Sequence, residues 1–279
     1  MRPEFLLLAA AAALAALAGC AGTGGHPAIH PLAAGVRYVA MGSSFAAGPG
    51  VTVSADQPRN RCSRSAGNYA HQLAQKRGLL LTDVSCGGAT TAHLFGSWGE
   101  LAPQLDAVTA DTRLVTVTIG GNDVGYIGGL SAASCQGRPG CPVVPPPGEQ
   151  AWQLLETAMR RIAGEVRRRA PEARLIFVDY LTILPEHGVC AATPVSREQA
   201  ETSRAVARRL AAITARIADE SGVEVLRSSA LSRRHDACSR TPWTNGFPSR
   251  EVRINGAPYH PDLAGMTAIA EALDRMLTR

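Results

Sequence analysis

The segment Leu114–Ile119 reads L-V-T-V-T-I and runs directly into Gly120-Gly121-Asn122-Asp123. A bounded run of aliphatic and β-branched residues with no helical spacing is a strand, and the glycines end it. The same punctuation occurs twice more. Val36–Met41 is an apolar run that breaks at Gly42 and presents Ser43 and Ser44, and Leu79–Ser85 is followed by Cys86-Gly87-Gly88-Ala89-Thr90-Thr91. Further strands are expected over Leu175–Asp179 and Val223–Leu226. A chain built this way places several small-polar loops at strand ends.

Long amphipathic stretches separate the strands. Helices are expected from an Asn68 cap through Arg77, over Pro103–Val108, over Gln150–Arg169, over Ser196–Ser221 with a capping box from Ser196 and Gln199, and over Asp262–Thr278 with Pro261 as its first helical position. Residues 49–67 read as a polar loop, 127–148 as a Gly/Pro-rich excursion, and 227–259 as irregular. Strands joined by connections of ten residues or more imply parallel pairing with helices on both faces. The fold expected is an α/β, three-layer α/β/α sandwich around a parallel sheet of about five strands. In such sheets, loops at the carboxyl ends of the strands converge on one crevice. Ser44, the glycine loops, Asn122 and His260 can therefore meet, though far apart in sequence.

The amino terminus is excluded from that domain. Arg2 precedes an apolar run from Phe5 to Ala18, too short for a comfortable membrane span. It ends Leu17-Ala18-Gly19-Cys20, which resembles a bacterial lipobox, in which the cysteine becomes the lipidated first residue. Residues 1–20 are thus expected to be a lipoprotein signal peptide, 21–35 a flexible tether and 36–279 one folded domain. The mature protein would be exported and held at the outer face of the cell membrane through Cys20, or secreted. Removing Cys20 from seven cysteines leaves six, at 62, 86, 135, 141, 190 and 238. An even set in an exported chain implies disulfides. Six cysteines allow 15 pairings, of which the sequential one is simplest. The net charge of +5 rests almost wholly on arginine, with Lys76 the only lysine. Runs such as Arg167-Arg168-Arg169 sit on helices as solvated faces, so no nucleic-acid partner is expected, and the chain is taken as a monomer.

Four motif blocks now stand in order across residues 37–266: G-S-S-F at Gly42–Phe45, S-C-G-G-A-T-T at Ser85–Thr91, T-I-G-G-N-D-V-G at Thr118–Gly125 and Y-H-P-D-L-A-G-M at Tyr259–Met266. Together they resemble the SGNH (GDSL) hydrolases, and specifically the secreted actinobacterial lipase and esterase branch. The resemblance implies a flavodoxin-like SGNH fold with Ser44 as nucleophile and His260 as base. It implies an oxyanion hole built from the Ser44 N–H, the Gly88 N–H and the Asn122 amide. It also implies the disulfides Cys62–Cys86, Cys135–Cys141 and Cys190–Cys238. The chemistry fits, because a serine hydroxyl needs a base to become nucleophilic and fixed donors to hold a tetrahedral oxyanion.

Two positions depart from the family pattern. Its G-D-S turn is Gly42-Ser43-Ser44 here, so the aspartate that braces the turn is replaced by Ser43. The aspartate expected three residues before the histidine is Ala257. Some relatives of this branch orient the imidazole with a backbone carbonyl, and by resemblance the Ala257 carbonyl would do so, with Asp236 as a remote carboxylate partner in the alternative. Phe95, Trp98, Tyr126, Trp243, Phe247 and Tyr259 are candidates for an apolar rim. The expected activity is hydrolysis of fatty-acyl esters. The alternatives are a cell-wall polysaccharide O-deacetylase of the same fold, or a surface lipoprotein that binds without turnover. No phosphate loop, zinc motif or dinucleotide fingerprint is present, so no metal and no other cofactor is expected.

Overall fold

The computed structural model describes residues 32–135 and 139–278. The expected signal peptide, the lipobox-like segment with Cys20 and most of the expected tether lie outside the described residues. Five parallel strands form one sheet: β1 (Arg37–Gly42), β2 (Leu80–Asp83), β3 (Thr112–Thr118), β4 (Arg174–Val178) and β5 (Glu224–Leu226), in the order β2-β1-β3-β4-β5. Residues 38–41 of β1 are completely buried, as are Leu114, Val115 and Thr116 of β3. Only strands covered on both faces tolerate such runs.

The helices provide that cover. In chain order they are α1 (Ser44–Ala47), α2 (Tyr69–Arg77), α3 (Ala92–Phe95), α4 (Tyr126–Cys135), α5 (Glu149–Arg169), α6 (Arg197–Glu220), α7 (Ser228–Leu231) and α8 (Leu263–Leu277), with a 3₁₀ turn at Gln104–Ala107. Helix α2 packs on α8, while α6 packs on α4 and α5. Right-handed crossovers explain the division. The chain steps one way from β1 to β2 and the other way from β3 through β5, so the crossover helices fall on opposite faces. That reversal puts a topological switch point between β1 and β3, where open α/β sheets bind ligands.

Local signals hold where they were specific. The Asn68 side chain accepts from the His71 N–H, and Ser196 and Gln199 form the reciprocal capping box. Two boundaries differ. Asp262, not Pro261, opens the last helix, its side chain accepting from the Gly265 N–H at 2.8 Å. The excursion expected at 127–148 begins as helix α4, whose Leu130 is buried and whose side packs on α6. Tertiary burial outweighs its two internal glycines.

Candidate active site

Gly42 and Thr118 are register partners in adjacent strands, so the loops following β1 and β3 leave the sheet side by side. Ser44 is the first residue of α1 and is half-buried, whereas Gly42, Ser43 and Phe45 around it are buried. The turn therefore presents one hydroxyl. The Ser44 Oγ lies 2.7 Å from Nε2 of His260, and Nδ1 of the same ring lies 2.7 Å from the Pro258 carbonyl oxygen. A carbonyl can only accept, so the ring proton sits on Nδ1 and the bare Nε2 accepts from Ser44. This is the tautomer a general base requires. Burial pushes the His260 pKa below its ordinary value, and the bond to Pro258 opposes the shift.

The orienting carbonyl thus belongs to Pro258 and not to Ala257, whose carbonyl instead accepts from the His260 backbone N–H at 3.4 Å. The reason lies between them. Tyr259 has φ 59°, a left-handed turn that brings the carbonyl two residues back against the ring. Asp236 is not a partner of His260: its carboxylate accepts from the Cys238 N–H at 2.8 Å.

The donors expected for an oxyanion stand on three neighbouring loops, after β2, β1 and β3. Neither the Ser44 N–H nor the Gly88 N–H has a hydrogen-bond partner among the described residues. Gly88 has φ 84°, a conformation that excludes nearly every other residue. The Asn122 amide donates one hydrogen to the Ala89 carbonyl at 2.8 Å, leaving its second for a ligand. Beside it, Asp123 accepts from the Thr91 N–H at 3.0 Å and from the Thr91 hydroxyl. Asn122 and Asp123 together therefore tie the 87–91 loop to the loop that follows β3. A model of the GDSL-like lipase/acylhydrolase family matches residues 40–268. The chain belongs to this family.

The hydrolase is 33% identical over 251 residues to Lipase 2 of Streptomyces coelicolor, covering 84% of this chain and 83% of that one. It is 28% identical over 232 residues to a lipase of Streptomyces rimosus, covering 82% of each. The crystal structure of an extracellular lipase from Streptomyces rimosus superposes with a TM-score of 0.70 at 26% identity, over 86% of this chain and 99% of that one. The family and these relatives make it a carboxylic ester hydrolase.

All three disulfides are formed as the resemblance implied: Cys62–Cys86, Cys135–Cys141 and Cys190–Cys238. The first reaches the oxyanion loop directly. Cys62 is bonded to Cys86, its carbonyl accepts from the Gly87 N–H at 2.9 Å, and the Cys86 N–H donates to the Gly42 carbonyl at 3.0 Å. No group of His, Cys, Asp and Glu suited to a metal ion occurs among the described residues.

Two supports of the hydrolase's site carry no sequence signature. The Gln104 side chain pairs with both backbone polar groups of Gly42: its Oε1 accepts from the Gly42 N–H at 2.7 Å and its Nε2 donates to the Gly42 carbonyl at 3.0 Å. Strand β2 stops at Asp83, so the Gly42 N–H finds its acceptor in Gln104, while the Gly42 carbonyl accepts from both Gln104 and the Cys86 N–H. Tyr180 takes over the bracing expected of an aspartate. Its hydroxyl accepts from the Gly121 N–H at 2.8 Å and lies 3.3 Å from the Ser43 Oγ, which in turn lies 3.5 Å from the Thr118 carbonyl. Gly121 must be glycine for this bond, since a Cβ there would sit 2.7 Å from the Tyr180 ring.

The aromatic rim is smaller than expected. Tyr259 and Tyr126 are core residues, 0% and 4% exposed, while Phe95, Trp98, Trp243 and Phe247 stay half-buried. Trp98 stands beside an expected oxyanion donor, with its ring edge 3.3 Å from where a Gly88 Cβ would be. His93 stacks on it at 4.0 Å, and the Arg61 guanidinium covers it.

Proposed function

We propose that the hydrolase cleaves fatty-acyl esters through an acyl-enzyme on Ser44. The observation that carries this reading is the pair of 2.7 Å contacts from His260, Nε2 to the Ser44 Oγ and Nδ1 to the Pro258 carbonyl. In the first half-reaction the Ser44 Oγ attacks the ester carbonyl carbon as its proton passes to Nε2. The oxyanion is held by the Ser44 N–H, the Gly88 N–H and the free hydrogen of the Asn122 amide. Collapse breaks the carbon–oxygen bond of the alcohol, which leaves with the proton from Nε2. Water then repeats the cycle on the acyl-serine, delivering its proton to Nε2, and the acid departs as Ser44 recovers its hydrogen. Donors of this kind each lower the barrier by about 3–4 kcal/mol. The imidazolium that forms faces a carbonyl dipole in place of a carboxylate.

Lipid esters are the substrate class because the relatives are named lipases and because the half-buried Trp98 stands beside the Gly88 donor. The three disulfides support export, as does the leader read from residues 1–20, with Cys20 as a lipid attachment point. Among the described residues no helix is long and apolar enough to cross a membrane.

The test is hydrolysis of p-nitrophenyl esters from acetyl to palmitoyl, with Ser44→Ala alongside. Turnover that favours medium or long chains and vanishes in Ser44→Ala is the expected result. Turnover confined to acetyl esters would move the assignment to a deacetylase. Folded, oxidised protein that hydrolyses none of them would remove catalysis from the reading.

A further inference from the structure

His260 has no carboxylate to hold its ring, so its aim depends on the backbone beneath it. The Pro258 carbonyl that takes the Nδ1 proton lies two residues back, and the residue between them is Tyr259. Tyr259 and Ser63 are the only non-glycine residues with positive φ among the described residues. For a bulky side chain this conformation is disfavoured and persists only where the surroundings impose it.

The surroundings are specific. The Tyr259 ring is completely buried, with its centroid 5.9 Å from that of Phe247. Its hydroxyl is hydrogen-bonded to the Ser134 Oγ, on an element 125 residues away in sequence. Ser134 in turn donates to the Leu130 carbonyl at 2.9 Å, one turn earlier in α4. A carbonyl cannot donate, so the direction is settled: Tyr259 donates to Ser134, and Ser134 donates to Leu130. On the far side of the ring, the His260 carbonyl accepts from the Asn245 N–H at 2.8 Å. The chain is thus held at 259 by α4 and at 260 by the 244–246 segment, with the left-handed turn between the two grips.

We propose that Tyr259 is a positioning residue for the reaction: the grip of Ser134 on its hydroxyl holds the left-handed turn that points Nδ1 of His260 at Pro258 and Nε2 at Ser44. Without that grip the backbone at 259 relaxes toward ordinary φ. The Pro258 carbonyl then swings away from the ring, and the base loses both its tautomer and its aim. The substrate does not touch Tyr259, so binding is spared. The proposal rests on Ser44 and His260 being the reacting pair.

The test uses full-length oxidised enzyme and p-nitrophenyl butyrate, with Tyr259→Phe, Ser134→Ala, the double variant and Ser44→Ala. Each single variant is expected to lower kcat about 10-fold at unchanged KM, and the double variant to fall no further than either single, because both remove one bond acting through one base. Ser134→Ala leaves the Tyr259 ring in place, so it decides the matter if Tyr259→Phe fails to fold. Wild-type kcat in Ser134→Ala, a rise in KM with kcat intact, or losses that multiply to about 100-fold in the double variant would each overturn the proposal. A lowered melting temperature with unchanged kcat would reduce Tyr259 to a structural role and overturn it too. Turnover surviving in Ser44→Ala would instead overturn the assignment of the reacting pair.

Discussion

Replacing Tyr180 by Phe removes one oxygen from the floor of the site and little else. The ring stays, with its contacts to Phe45 at 4.6 Å and to Tyr126 at 5.9 Å between centroids. What goes is the acceptor for the Gly121 N–H at 2.8 Å and the neighbour of the Ser43 hydroxyl at 3.3 Å. Gly121 is buried, and water does not replace an acceptor packed under a ring. Leaving such a donor unpaired costs about 2 kcal/mol. With a urea slope of about 2.5 kcal/mol/M for a chain of this size, the unfolding midpoint should drop by about 0.8 M. Activity should fall as well, because Gly121 is bonded directly to Asn122. A loosened Gly121–Asn122 peptide misplaces an oxyanion donor, and a loss of about 10-fold in kcat is expected with KM nearly constant. Burial pushes the Tyr180 hydroxyl up to about 12, against the pull of its bonds to Ser43 and Gly121, so it stays protonated and both effects should be the same at pH 6 and pH 8. The measurements are urea unfolding followed by fluorescence and steady-state hydrolysis at those two pH values. A midpoint within about 0.2 M of wild type would refute the claim that Tyr180 replaces the missing aspartate. Destabilisation with full kcat would refute the link from Tyr180 to Asn122.

Burial lowers the His260 pKa, and the base works only when neutral, so the acid limb of kcat/KM should fall below the ordinary histidine value of about 6.5; an inflection above that value would contradict the buried site. The linked effect on stability has a fixed sign: the unfolded chain binds this proton more readily, so stability is lost as pH falls from about 6.5 through the lowered folded value, and His260→Gln should weaken that dependence. Gln104→Glu keeps the acceptor for Gly42 but loses the donor, setting a carboxylate against a carbonyl. It should destabilise by about 2 kcal/mol at pH 7 and by less near pH 5, where a protonated Glu can donate again, and equal losses at both pH values in urea unfolding would count against the two-sided clamp. Opening Cys62–Cys86 as the double serine variant frees a closure of 24 residues, which should cost about 3.5 kcal/mol and lower kcat by loosening Gly87–Gly88; full stability and turnover in calorimetry and ester assays would refute it.

The sequence made the strand-and-loop frame legible because the strands carry their own local evidence: short apolar runs, three of them closed by a glycine loop. The same holds for Ser196 with Gln199 and for Asn68, whose caps act within three residues. Ser44, Asn122 and His260 were legible only as a set, since each alone has an ordinary role at a turn or helix start. What escaped was set by distance. Gln104 clamps a residue 62 positions away, and Tyr180 supports one 59 positions away, and no spacing in the sequence announces either. The misassigned carbonyl has a local cause. Counting back from His260 gives Ala257 if the chain runs on normally, but the left-handed Tyr259 shortens the path by one residue. Helix α4 escaped because Gly128 and Gly129 read as loop, whereas burial against α6 pays their entropic cost.

Each of the six disulfide cysteines lies in the stretch after a strand and before a following helix or turn: Cys62 precedes α2, Cys86 follows β2, Cys135 and Cys141 precede α5, Cys190 precedes α6 and Cys238 precedes α8. The opposite connections, such as Gly78 between α2 and β2 and residues 170–173 between α5 and β4, are short and carry no cross-link. Covalent constraint is therefore confined to the connections that follow the strands, the class of connection that also carries Ser44 and His260. Partial opening of the domain has an easy direction and a hard one. Strands can fray from their amino ends while the loops above remain stapled, so with its disulfides intact the Ser44–His260 pair keeps its geometry through fluctuations that would scatter an unbridged site.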